Sequence, residues 1–476
     1  MKKFFVILLA VCMLAMAGCN TTGNVETSGD KAEKIQLKIA FWEGGTEREI
    51  ETALEELVKK YKVDHENVSL DIMSQPYNDY QNWLRTRLAA NEAPDITLGT
   101  SGGLKEQFKQ GYILELTDYY NSPNPYADGR LWADIFADGK ISAANESEAS
   151  LFAIPITGLG FAYYYNKDIY KQLGLSEPET YREFIENCKV IDGEGINPIA
   201  VMGAKDDQLS WINWYMMTGL YGKYYVENKD INPLENATLG GKEAARAVDL
   251  GYFDMTKGVD REALDKYFDM LEEYAKYSKG AMGLDEVGAK TQFLAGKAAH
   301  ILSGSWDISA FLMNDSRSFE VGAFPLPVFT EEDSPYTGLN LMGSSVQPFG
   351  ITTAVNKSEA YEKAAVDFMM FITAPENYKT YIENTFAIPV VKDVDVDPIF
   401  TAFTAGNSDP IHLFSLRSPK SIQSYVEINS FIFNGESYDR DEAAKAMQSA
   451  AVDYANSIME RDGLTKENNY LLEKRN

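Results

Sequence analysis

LFAIPITGLG FAYYYNKDIY KQLGLSEPET YREFI, residues 151–185, is the stretch on which the fold turns. A short apolar strand runs to Pro155, and Gly158 and Gly160 then loosen the backbone. An apolar and aromatic run follows, Phe161 to Tyr165. Asn166-Lys167-Asp168 opens a helix that stops at Gly174, where a left-handed residue suits a helix end. Thr180-Tyr181-Arg182-Glu183 is a capping box for the next helix. The glycine pair sits where one folded unit hands over to another. The expectation is a crossover between two lobes, with a ligand cleft between them.

Upstream, Leu37, Ile39 and Phe41 alternate with Lys38 and Ala40, which predicts a strand. Ile50, Ala53, Leu54, Leu57, Val58 and Tyr61 keep helical spacing, after Thr46 as its cap. Val68, Leu70 and Ile72 predict a second strand, residues 80–90 a helix, and Asp95 to Leu98 a third strand. This alternation implies an α/β unit with a largely parallel sheet. In such sheets ligands sit beyond the carboxyl ends of the strands, here Trp42-Glu43 and Gly99-Thr100-Ser101. Downstream the chain becomes helix-rich and aromatic. A strand over Ala298 to Leu302 ends at Gly304-Ser305-Trp306-Asp307, residues 350–355 predict a strand, and Ile388-Pro389-Val390 a second crossing point.

The 476 residues suffice for two or three domains. Net charge is −27, so nucleic acid and anionic membrane surfaces are poor partners. The amino terminus, MKKFFVILLAVCMLAMAGCN, has a basic start and an apolar stretch too short to span a bilayer comfortably. Met16-Ala17-Gly18-Cys19 resembles a bacterial lipobox, with Met in place of the commoner Leu. Residues 1–18 are therefore expected to be a lipoprotein signal peptide, and Cys19 the lipidated anchor. Residues 19–34 are a polar tether, which at ~3.3 Å per residue reaches about 50 Å. Cys188 is then the one cysteine of the body and cannot pair internally; a buried apolar role is expected.

Several phrases recur in one order: APDI at 93–96, FAIP at 152–155, YYNKDIYKQLGL at 164–175, PETYREF at 178–184, NPIAV at 197–201, FLAGKAAHILSGSW at 293–306, VGAFPLP at 321–327, GITTAVNKS at 350–358 and AIPVV at 387–391. The series resembles extracellular solute-binding proteins of the sugar-binding type, relatives of maltose-binding protein. The resemblance implies a two-lobed periplasmic-binding-protein-like α/β fold. Each lobe would be a mixed, largely parallel sheet flanked by helices, the two joined by crossing hinge strands. Lobe 1 is expected over 35–156 plus 350–388 and lobe 2 over 157–349 plus 389–476. It further implies a monomeric, lipid-anchored component of an ABC importer on the outer face of the membrane. That component would bind a carbohydrate, most simply an oligosaccharide, and hand it to permease subunits, with no cofactor, metal or catalysis.

A sugar needs aromatic platforms and a few oriented polar groups in a concave site. The resemblance places a ligand-contacting aromatic at Trp42 and a stacking indole at Trp306, and puts Asp207, Gln208 and Trp211 on a segment that often faces the cleft. Glu43 is a candidate acceptor for hydroxyls. Thr100 and Ser101 precede a helix whose amino end can hold a polar ligand. Asp307 either orients a hydroxyl or caps the following helix. Gly343 and Ser344 offer backbone groups, and Arg417 is a further candidate. Trp214 is expected in the core.

Two other functions compete. Gly99-Thr100-Ser101-Gly102-Gly103 matches G-x-S-x-G, a nucleophile elbow, which would need His300 or His412 to make an esterase. A binder of peptides or polyamines would instead show several acids around one aromatic. His65, His300 and His412 lack metal-ligand spacing. Asp393, Asp395 and Asp397 alternate as in a calcium loop, but Pro398 and Thr404 stand where that loop needs Gly and Glu.

Overall fold

The computed structural model describes residues 33–43, 49–145, 150–204, 206–236, 239–314, 317–338, 345–395, 397–404 and 419–472. Among these, nine strands form two sheets. They are β1 (Ile35–Glu43), β2 (Val68–Pro76), β3 (Ile96–Leu98), β4 (Ala153–Leu159), β5 (Phe161–Asn166), β6 (Asn197–Ala200), β7 (Ala298–Gly304), β8 (Val321–Pro325) and β9 (Ser345–Ile351). The first sheet has the order β2-β1-β3-β9-β4 and the second β6-β7-β5-β8.

β1 buries Ile35, Leu37 and Ile39 and exposes Gln36 and Lys38, as its alternation requires. Past Lys38 it is buried on both faces, because it lies between β2 and β3 and is covered by helices. The helix Glu49–Tyr61 turns Ala53, Leu54, Leu57, Val58 and Tyr61 inward. Its acids Glu49 and Glu51 lie in the first turn and Lys59 and Lys60 in the last, matching the helix dipole.

The two sheets touch in sequence at a single residue. β4 belongs to the first sheet and β5 to the second, with Gly160 alone between them. The glycines here were expected to loosen the chain; they do the opposite. A Cβ at Gly158 would stand 2.9 Å from Ile388 Cγ2, and one at Gly160 would overlap the Phe403 carbonyl. Both are needed because a later segment, 388–403, lies hard against the crossover. Downstream, Asn166 Oδ1 accepts from the Asp168 and Ile169 amides at 3.0 and 3.1 Å, and Gly174 ends that helix at φ 67°. The Thr180–Glu183 box is closed in both directions, opening the helix Tyr181–Gly193. Tyr181 then donates to the Met270 carbonyl at 3.0 Å, locking this helix to Gly258–Lys276.

The sheets are mixed, not largely parallel as expected: antiparallel pairings outnumber parallel ones among the described strands. β1 pairs in parallel with β2 and β3, and β6 with β7; β9 is antiparallel to both β3 and β4, and β5 to both β7 and β8. The antiparallel strands are those next to the crossings, because a chain that leaves a sheet and later returns can run against its neighbours.

Each sheet has its own core. One gathers residues 35 to 156 and 346 to 391, the other 163 to 329 and 428 to 451. Each lobe is thus assembled from separated stretches. The strands overrun the expected handovers: β4 continues in the first sheet to Leu159 and β9 enters it at Ser345, where 156 and 350 were expected. The strand expected over 350–355 stops at Ile351 and gives way to a tight helical turn, Thr353–Val355, capped by Thr352. Ile388-Pro389-Val390 runs along the seam. Ile388 packs with Phe400 and Phe403 of the second lobe, while the Val390 carbonyl accepts from Ala137 of the first at 2.8 Å. Cys188 is buried and free. Of the three alternating acids, Asp393 pairs with Arg130 at 2.8 Å and Asp397 caps Ile399 at 2.9 Å.

Candidate ligand site

Two groups of aromatic rings stand at strand ends, one in each lobe. In the first, β1 delivers Trp42 and the helix Tyr77–Ala89 delivers Tyr77, Tyr80 and Trp83. Trp42 meets Tyr80 edge-on at 5.1 Å and Tyr77 at 5.9 Å. The Tyr80 hydroxyl donates to the carbonyls of Ala40 and Leu98, at 3.1 and 2.9 Å. Each of those residues stands two before a candidate, Trp42 and Thr100, so one buried phenol ties both strand ends together. Trp42 is only 8 % exposed, whereas Tyr77 is 59 % exposed. The open ring of this wall is therefore Tyr77, and Trp42 backs it.

In the second lobe, β7 ends at Gly304 and the turn Ser305–Asp307 carries Trp306. Its six-membered ring lies over Gly304, where any Cβ would overlap it. Phe161 opens β5 opposite Gly304 in the register and meets Trp306 at 5.2 Å and 87°. Trp211, on the helix Asp206–Glu227, meets Trp306 at 5.6 Å and Phe161 at 4.9 Å. Trp306 is 39 % exposed. An indole with one face on a glycine backbone, its partners edge-on and a large exposed area is the arrangement a flat C–H surface stacks against.

Among the described residues, contacts near the second group reach the crossover and the first lobe. Gly160 at the crossover donates to Ser305 Oγ at 3.4 Å and accepts from the Ser305 amide at 2.9 Å, so the hinge touches the residue before Trp306. Three residues after Trp306, Ser309 donates to the Glu49 carboxylate of the first lobe.

The polar candidates fare differently. Glu43 Oε1 accepts from the Glu51 amide at 3.1 Å, so this carboxylate sits on the first turn of a helix, which favours its charge. Thr100 caps the helix Ser101–Lys109, accepting from the Gly103 amide at 3.1 Å, and Ser101 is the first residue of that helix. Asp307 does not cap the following helix through its side chain. It is 5 % exposed and turned to Lys290 Nζ at 2.6 Å and the Ser303 hydroxyl. Burial pushes its carboxyl above the ordinary carboxylate value, with Lys290 and Ser303 pulling it back. Asp207 and Gln208 stand in the first turn of the helix that carries Trp211. Their side chains, and Cys19, Gly343, Ser344 and Arg417 altogether, lie outside the described residues. Trp214, expected in the core, is half-buried and reaches Phe161 at 6.4 Å.

Phe161 and Tyr77 were not anticipated. Phe161 could have been found as the first residue after the glycine pair. Tyr77 follows the end of β2 as Trp42 stands at the end of β1, the register pairing Trp42 with Gln75.

The histidines lie elsewhere. His300 faces the second-lobe core, with Tyr170 at 2.7 Å on Nε2 and the Pro198 carbonyl at 2.9 Å on Nδ1. Burial pushes it down to about 3, so it is neutral at ordinary pH. His65 precedes β2, at the amino ends of the strands, bonded to Tyr126 at 2.9 Å. His412 is outside the described residues.

Residues 44–379 match the family model described as bacterial extracellular solute-binding protein. The chain is similar to the multiple sugar-binding protein of Streptococcus mutans serotype c, 21 % identical over 394 residues covering 82 % of each chain. It is also similar to the melibiose/raffinose/stachyose-binding protein MelE of Bacillus subtilis, 24 % identical over 81 % of this chain and 80 % of that one. Among solved structures, SBP RafE in complex with raffinose shares the fold, with a TM-score of 0.65, 19 % identity and coverage of 88 % of this chain and 100 % of the other.

Proposed function

The chain belongs to the bacterial extracellular solute-binding proteins, and we propose that it captures an oligosaccharide between its lobes for an ABC importer. Its family places it outside the cytoplasm, and the Met16-Ala17-Gly18-Cys19 pattern favours a lipid anchor on Cys19. Permease subunits are its partners, and it acts as a monomer.

The observation that carries this reading is the half-exposed Trp306, laid on Gly304 and braced by Phe161 and Trp211. Sugars present flat C–H faces, and aromatic rings are their natural partner in a concave site. Tyr77 of the first lobe is the opposing ring, with Trp42 behind it. Thr100 and Ser101 supply hydroxyls at a strand end, and Asp207, Gln208, Gly343, Ser344 and Arg417 remain further candidate contacts. Domain closure about the 159–161 crossover brings the two walls together. The names of the relatives point to raffinose-type galactosides as the first ligands to try.

Two features favour sugar over a polyamine. The aromatics are several, and the nearby acids are engaged, Glu43 by a helix amide and Asp307 by Lys290. An esterase would need Ser101 beside His300 or His412; His300 is bonded to Tyr170 in the second-lobe core, and His412 lies outside the described residues.

A thermal-shift screen of the mature protein against raffinose, stachyose, melibiose, maltotriose and chitobiose tests the proposal. At ligand about 100-fold over Kd, linkage adds about 2.7 kcal/mol to stability, a shift of several degrees. No shift with any sugar, together with ester hydrolysis lost in Ser101→Ala, would overturn it.

A further inference from the structure

The turn that carries Trp306 is held from behind by buried charge. Asp307 Oδ1 lies 2.6 Å from Lys290 Nζ, and Asp307 Oδ2 accepts from Ser303. Lys290 belongs to the helix Glu286–Leu294 and also reaches Glu286 Oε1 at 2.6 Å. Ser303 and Asp307 bracket Gly304, Ser305 and Trp306, so their bond closes the base of the turn. The turn itself is a single helical turn of three residues, short for so large a side chain.

A buried ion pair is a poor source of stability, because desolvating both charges offsets most of their attraction; what it gives where it is kept is geometry. The pair ties the turn after β7 to the helix Glu286–Leu294, and the Trp306 indole of that turn rests on Gly304. We propose that the Lys290–Asp307 pair, closed by Ser303, is the positioning element for the Trp306 ring: it sets the angle at which the platform is offered, without touching ligand. The consequence for affinity rests on reading Trp306 as the platform; the consequence for ring geometry does not.

Two indoles 5.6 Å apart couple as excitons, so the Trp211–Trp306 pair gives a circular-dichroism couplet. It is assigned as the signal lost in Trp211→Phe. The variants are Lys290→Met and Asp307→Asn, with Ser303→Ala as the mild case, Lys290→Arg as the conservative rescue and Tyr170→Phe as the control. The control removes a buried hydroxyl 2.7 Å from His300 on the same strand. Lys290→Met and Asp307→Asn are expected to lose most of the couplet and to raise the raffinose Kd about tenfold. Ser303→Ala should lose part of the couplet, Lys290→Arg should keep it, and Tyr170→Phe should lower Tm while leaving it intact. An unchanged couplet in Asp307→Asn and Ser303→Ala overturns the proposal. So does an equal loss in Tyr170→Phe; a lost couplet with an unchanged Kd supports the positioning and overturns the reading of Trp306 as the platform. If raffinose fails to bind the wild type, the sugar reading falls and the couplet alone decides the positioning.

Discussion

The two walls use the same kind of side chain for opposite purposes. In the first lobe Trp42 is almost covered, and a tyrosine hydroxyl bonded to two strand carbonyls holds its surroundings. In the second lobe Trp306 is half-open, and a glycine beneath and an ion pair behind hold it. A covered indole is a packing element, felt as stability. An open one adds little to the fold and is felt by whatever lands on it. Trp42 should therefore be felt in folding and Trp306 in binding.

The severest challenge to this contrast is Trp42→Ala. It should cost about 3–5 kcal/mol of stability through lost burial and a residual cavity. Urea denaturation reads it, and a loss under about 1 kcal/mol would mean the ring is not the packing element its 8 % exposure implies.

Acid probes the second lobe. Burial holds His300 at about 3 in the fold, against about 6.5 unfolded. A group whose folded value is depressed contributes in full above its unfolded value and loses that contribution as pH falls. Stability should therefore drop between about pH 6.5 and 3, by at most about 1.4 kcal/mol per pH unit. Asp307, raised by burial, acts in the other direction and softens the acid end of that window. Denaturant midpoints at pH 7, 5 and 4 measure the slope, and a flat profile that His300→Gln does not alter would contradict it.

Tyr80→Phe refines the contrast on the first side. Removing a buried hydroxyl that serves two carbonyls should cost about 1–2 kcal/mol of stability and leave raffinose affinity within about twofold. Tyr77→Ala has the smallest effect on folding, within about 0.5 kcal/mol for so exposed a ring. Its mark should be a few-fold weaker Kd, and an unchanged Kd would remove Tyr77 from the site.

Much of this was legible before any coordinates. Asn166, Gly174 and the Thr180–Glu183 box act locally, and local signals survive into the fold unchanged. The resemblance marked Trp306 through the phrase ending Gly-Ser-Trp, and the turn Ser305–Asp307 does leave that ring 39 % exposed. What the sequence hid depends on contacts between distant segments. Gly158 and Gly160 looked permissive, yet residues more than 200 positions later press on them. Asp307 looked like a possible helix cap, because nothing local reveals that Lys290 lies 2.6 Å away. Phe161 passed as one more strand aromatic until the register set it opposite Gly304.

The central claim is that a sugar is gripped by the open indole of the second lobe. Calorimetric titration of raffinose into the mature wild-type protein and into Trp306→Ala tests it most directly. Saturable binding in the wild type is expected, weakened by about 2 kcal/mol or roughly thirtyfold in the variant, with the unfolding midpoint of the unliganded variant nearly unchanged. Equal affinity in the two proteins, measured where both are folded, would contradict it.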